Sequence, residues 1–181
     1  MLLLVSASTS PPPPRWVINN VMRWLPIVET YIEEYPFVTK EVALAVIAQE
    51  SLGIPNVHET ELAYADGHNS IGLMQIVPFS WRPSSKWLSV PENNIYWGMR
   101  ILNQVIQESG LRTGLARYNC GLVKLEQNKC GVAGGYAYAD RVLNYWVPMF
   151  EFELTMREEI DVIWLLKRIQ LWTKRYQMGL E

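Results

Sequence analysis

Glu50 falls at the end of the run Val42-Ala43-Leu44-Ala45-Val46-Ile47-Ala48-Gln49-Glu50-Ser51, whose first seven residues are all apolar. A helix with this pattern is covered on nearly all sides. In its last turn, desolvation and the partial negative charge of a helix C-terminus both raise a carboxyl pKa. A carboxylic acid that keeps its proton near neutral pH can protonate a glycosidic oxygen. A Glu at a helix end can equally point into solvent and do nothing, so this helix alone leaves both readings open.

Other chemistry-bearing residues are few. Glu59, Glu61 and Asp66 lie in a polar stretch from Asn56 to Asn69, and any of them could supply a second carboxylate. The only histidines are His58 and His68, with no further paired ligands nearby, so no metal site is expected. No cofactor is implied either. Cys120 and Cys130 are either free thiols or a bridge, since spacing does not show geometry. Eight Trp and nine Tyr are core residues for the most part, though a carbohydrate cleft also uses flat rings against sugar C–H faces.

The elements that must position these groups read as helices. The chain has 181 residues, enough for one domain with a sizeable core. Its formal net charge of −2 gives no global positive field for nucleic acid. Residues 1–14 read as a flexible tail ending in the run Pro11 to Pro14. The apolar start lacks the basic n-region of a secretory signal, and no segment has the apolar length to span a bilayer. Helical spacing runs from Trp16 to Tyr35, interrupted by Pro26. Thr39 can N-cap the helix that ends at about Leu52, with Gly53 and Pro55 as stop signals. A short helix is predicted around Ile71 to Trp81. Another, capped by Asn93 or Asn94, is predicted through Ser109. Further helices are expected over Leu111 to about Lys124, over Tyr138 to Phe150, and over Thr155 to Tyr176. The last is amphipathic, with Ile160, Ile163, Trp164, Lys167 and Leu171 in register. No strand alternation or internal repeat is evident, so the class is mostly α.

Ser70-Ile71-Gly72-Leu73-Met74-Gln75-Ile76 and Arg117-Tyr118-Asn119-Cys120-Gly121 follow Glu50-Ser51 in order. With Tyr138-Ala139-Asp140-Arg141-Val142-Leu143 and the stretch Asn94-Ile95 with Gly98, they make a series of spaced motifs. The series resembles the lysozyme-like domain of soluble lytic transglycosylases, which carries a Glu-Ser pair, a Gly-Leu-Met-Gln segment and an Ala-Tyr-Asn-Ala-Gly segment in this order. The resemblance covers about residues 37 to 147. It implies a mostly α, lysozyme-like single domain over 15–152, with an added C-terminal helix over 153–181.

The resemblance also implies roles. Glu50 is the catalytic acid and then the base, and Ser51 binds substrate or orients the carboxyl. Met74 and Gln75 line the glycan cleft. Tyr118 holds the Glu50 carboxyl, Asn119 fixes local backbone or touches sugar, and Tyr138 closes the site. Arg117 and Cys120 replace small residues of the pattern, and Arg117 is either a cation at the cleft rim or a solvated helix residue. The substrate implied is the peptidoglycan strand, at the periplasmic or extracellular side of the wall; the short chain without a clear signal fits a phage-borne or secretion-associated enzyme and a truncated gene start equally well. Lytic transglycosylases cleave the MurNAc–GlcNAc β-1,4 bond and leave a 1,6-anhydro end.

Asp66-Gly67-His68-Asn69-Ser70-Ile71-Gly72 also resembles goose-type lysozymes, so a hydrolytic muramidase using Glu50 and Asp66 is the alternative. An inverting hydrolase needs its carboxylates roughly 6.5–9.5 Å apart. Goose-type lysozymes place another Asp where this chain has Val77. A non-catalytic peptidoglycan-binding module of a phage particle or secretion machine is the reading from another class. The C-terminal helix either packs back, binds a protein partner or rests on a membrane surface.

Overall fold

The structure, a computed structural model, describes residues 11–55 and 70–177. It is mostly α, as expected; among the described residues the only β pairing is an isolated bridge between Ile71 and Ile76. The chain divides into two compact units, one running to Pro148 and the other from Met149 on.

In the first unit, α1 (Arg15–Met22) and α2 (Leu25–Tyr31) share the expected helical stretch. The break falls at Arg23–Trp24 because Pro26, which lacks an N–H, is accommodated in the first turn of α2. Before α1, the Pro11 carbonyl accepts a hydrogen bond from Tyr145 Oη at 2.8 Å, so the end of the expected tail is tied to the domain. The central helix α3 (Lys40–Ser51) starts as its sequence directs, the Thr39 side chain accepting from the Val42 N–H. Val42 to Ala48 are all buried, so α3 is the axis of the core. Truncating Leu44 there to Ala would cost about 2–5 kcal/mol. The helix stops at Leu52 and Gly53, both in the left-handed region. A Cβ on Gly53 would lie 2.6 Å from the backbone of Asn20, so this glycine lets the end of α3 pass close against α1. Trp24 Nε1 donates to the Gly53 carbonyl at 2.9 Å and holds that approach.

The segment from Ile71 to Trp81 is not the predicted helix. Ile71 and Ile76 exchange backbone hydrogen bonds of 3.0 and 2.9 Å around a tight turn, with Gly72 and Gln75 at positive φ. The apolar spacing that suggested a helix instead buries Leu73, Met74 and Ile76 from a turn.

Next come α4 (Ser85–Leu88) and α5 (Pro91–Ser109). Neither Asn93 nor Asn94 caps α5: Pro91 occupies its first position and Val90 is the cap residue. The predicted helix from Leu111 divides at Gly121 into α6 (Leu111–Cys120) and α7 (Leu122–Glu126). Cys120 and Cys130 form a disulfide with Cα atoms 5.5 Å apart.

α8 (Tyr136–Arg141) passes into a π-helical turn, Val142–Trp146. Arg112 of α6 grips Asp140 of α8 with two hydrogen bonds of 2.6 and 2.8 Å, which fixes one helix on the other.

α9 (Val147–Gln177) joins the last residues of the expected Tyr138–Phe150 helix to the expected Thr155–Tyr176 helix without a break. Its apolar side chains do not form one stripe. Ile160, Val162, Ile163, Trp164, Leu165 and Leu166 are all exposed, and successive residues of a helix lie on different faces. No helix among the described residues is long and apolar enough to cross a membrane.

Candidate active site

The site is built where the end of α3 meets the 71–76 turn, α6 and α8. Glu50 is half-buried, and Tyr138 Oη donates to its Oε1 at 2.6 Å. Burial pushes the Glu50 carboxyl from 4.5 up to about 7, and the Tyr138 hydrogen bond works the other way by favouring the charged form. Tyr138 itself is buried, and burial together with the nearby Glu50 charge holds its phenol well above its ordinary pKa. It therefore stays protonated and remains a donor to the carboxyl. Beside Glu50, the Gln49 Oε1 accepts from Trp146 Nε1 of the π turn at 2.9 Å, which holds the last turn of α3 from the opposite end of the chain. π turns of this kind often occur at functional sites.

The structure brings the sequence-predicted residues together but redistributes their tasks. The Glu50 carboxyl is held by Tyr138 and not, as the resemblance implied, by Tyr118. Tyr118 Oη donates to the Met74 carbonyl at 2.7 Å, which occupies its one proton. It still lies close enough to Glu50 for that charge to raise its pKa, after burial as the larger cause.

Ser51 is 1% exposed, with its Oγ 3.0 Å from the Ile47 carbonyl and 2.8 Å from that of Leu73. A hydroxyl so enclosed ties α3 to the turn and is withdrawn from substrate. Met74 does not line a cleft either. It is fully buried, its side chain set against Gly98, where any Cβ would strike it. Gln75 is partly exposed, with Nε2 on the Gly72 carbonyl at 2.7 Å and Oε1 accepting from Ser70 at 2.6 Å. Asn119 is exposed, and its Oδ1 accepts from the Gly135 N–H at 2.9 Å, which sets the start of α8 and so the approach of Tyr138. Arg117 is not at a rim as a free cation, because it pairs with Glu108 at 2.7 Å. Asp66, with Glu59, Glu61, His58 and His68, lies outside the described residues. No group of His, Cys, Asp and Glu fit to hold a metal ion occurs among the described residues.

Asn94 is the residue that sequence reasoning placed wrongly and that the site depends on. It is fully buried; its Oδ1 accepts from the Met74 N–H at 2.8 Å, and its Nδ2 donates to the carbonyls of Ile71 and Leu88 at 2.7 and 3.0 Å. One amide thus satisfies both ends of the turn that carries Gly72 and Met74. A Cβ on Gly72 would collide with this amide, and Gly72 has a φ of 75°. Asparagine and glycine are here one device. The signals available in sequence are a polar residue beside Ile95 on a helical face and the family match of Asn94-Ile95; the same position also fits a helix cap, as does Asn93.

No curated protein matches the chain in sequence. The family described as the transglycosylase SLT domain matches residues 30–135, more than half of the chain. That range contains Glu50, the 71–76 turn, Asn94 and Tyr118, and it ends just before α8 with Tyr138. The chain belongs to the transglycosylase SLT domain family, lysozyme-like enzymes that cleave the glycan strands of peptidoglycan.

Proposed function

We propose that the protein is a lytic transglycosylase that uses Glu50 alone as acid and base to cut the MurNAc–GlcNAc β-1,4 bond, leaving a 1,6-anhydromuramyl end. The observation that carries this reading is the Glu50 carboxyl, held by burial at about 7 with the Tyr138 phenol donating to Oε1. With Oε1 accepting from Tyr138, the proton belongs on Oε2, from which it passes to the glycosidic oxygen as the C1–O bond breaks. Glu50 is then a carboxylate, and the Tyr138 hydrogen bond stabilises it in that form. The carboxylate takes the proton of the muramyl C6 hydroxyl as that oxygen bonds to C1. The carboxyl is restored and no water is consumed. Cutting of this kind places the enzyme at the wall-facing side of the cell envelope, periplasmic or extracellular.

The test is mass spectrometry of the soluble products from purified peptidoglycan. Anhydro ends from the wild-type protein, absent with Glu50→Gln, are the expected result. Reducing ends would replace this mechanism with hydrolysis, for which Asp66 is the candidate second carboxylate. Binding to peptidoglycan without any released fragment would reduce the chain to a wall-binding module.

A further inference from the structure

Directly after the 71–76 turn stand three side chains that the reaction above does not use. Phe79 and Trp81 are 52% and 68% exposed, and their rings stack at 5.9 Å with only 17° between their planes. Two large aromatic rings lying nearly parallel in water form an apolar strip that a folded chain ordinarily covers. Arg82 organises the strip. Its guanidinium carbon lies 4.9 Å from the Phe79 ring centroid and 4.6 Å from that of Trp81, and its Nη1 donates to the Val77 carbonyl at 2.9 Å. The strip is continuous with the active site. Val77 follows the bridge residue Ile76, and Tyr118 grips the same turn at Met74. Tyr118 also feels both the Arg82 and the Glu50 charges, so it lies near both.

We propose that Phe79 and Trp81, held by Arg82, form a sugar-stacking platform that extends the cleft beyond Glu50 and binds a saccharide ring of the glycan strand. This rests on the glycan-cutting reading. The occupant follows from the chemistry. A pyranose ring presents a flat C–H face to an aromatic ring, while its hydroxyl and acetamido groups stay at the edge; Arg82 lies over the Phe79 and Trp81 rings, which leaves their opposite faces for the sugar. Arg82 is a positioning residue that fixes the ring planes.

The experiment is isothermal titration of short GlcNAc–MurNAc oligosaccharides, free of stem peptides, into the full chain carrying Glu50→Gln, so that nothing is cut during the measurement. Adding Trp81→Ala or Phe79→Ala should weaken binding about tenfold or more, whereas Trp16→Ala, an exposed tryptophan on α1, should not. Trp81→Phe, which keeps a flat ring, should retain most of the affinity and lose the part of the ligand-induced tryptophan emission change that Trp81 carries. Affinities within about twofold of the parent for both alanine variants would overturn the platform. So would an emission change untouched by Trp81→Phe. If the Glu50→Gln parent still releases fragments from peptidoglycan, the assignment of Glu50 falls instead, whatever the titrations show.

Discussion

In the proposed reaction one carboxyl must hold a proton in the first half and stabilise a negative charge in the second, and two opposed effects at Glu50 serve those halves. Burial favours the acid and Tyr138 favours the carboxylate. Glu50→Gln should lower the turnover rate by about 10²–10⁴-fold or more while leaving helix content intact, which a peptidoglycan clearing assay with circular dichroism checks. The acid form is the active one in bond cleavage, so wild-type activity should fall as pH rises above about 7. Tyr138→Phe removes the effect that lowers the Glu50 pKa. The alkaline limb of the pH–rate profile should therefore move to higher pH even as the maximal rate drops. An alkaline limb that stays in place would separate Tyr138 from the titrating group. The place of Glu50 at the end of a buried helix was legible because seven apolar neighbours mark where the helix is buried and Gly53 where it ends; its proposed role came only from the ordered motifs that follow. Tyr138 as the direct partner was not legible, since the choice between Tyr118 and Tyr138 depends on which phenol is already committed to a backbone carbonyl.

The 71–76 turn, α5 and the π turn are the elements on which the site hangs; the turn and the π turn are not the helices their sequences suggest, and α5 is the expected helix with a different cap. A short apolar run carries no information that separates a helix from a turn with buried side chains, so the spacing from Ile71 to Trp81 fits both. Asn94 looked like a cap because asparagine commonly is one; only the fold reveals that its amide is enclosed and bonded to the turn on both sides. Asn94→Ala would strand the Met74 N–H and the Ile71 and Leu88 carbonyls without their partner. The expected cost is about 2–4 kcal/mol in urea denaturation, with loss of cutting. Asn94→Asp should also fail, since a carboxylate cannot donate to those two carbonyls. By contrast α3 and its Thr39 cap were readable, because capping and apolar runs are local signals.

At the scale of the molecule, the mostly helical class and the order of the motifs were legible, while the covalent closure between Cys120 and Cys130 was left open by spacing and is present in the fold. Stability should also depend on pH through Glu50. A carboxyl whose folded pKa is raised to about 7 from 4.5 contributes stability that is fully present below 4.5 and is lost as pH rises through 7. Thermal melts of Glu50→Gln and wild type should therefore coincide in acid, diverge between pH 4.5 and 7, and above that differ by about 1–3 kcal/mol in favour of the glutamine. The disulfide has a further consequence. It spans the segment from the end of α6 to a point shortly before α8, and a Cβ on Gly135, the residue before α8, would meet Cys130 Cβ and Sγ at 3.0 Å. Opening it should cost about 2–3 kcal/mol and slacken the seat of the helix that carries Tyr138. Dithiothreitol should then depress cutting before it unfolds the protein, as paired activity and near-ultraviolet dichroism measurements would reveal. On the proposed reading the reduced chain should therefore be a poorer cutter than the bridged one, and restoring the Cys120–Cys130 bond should restore the rate.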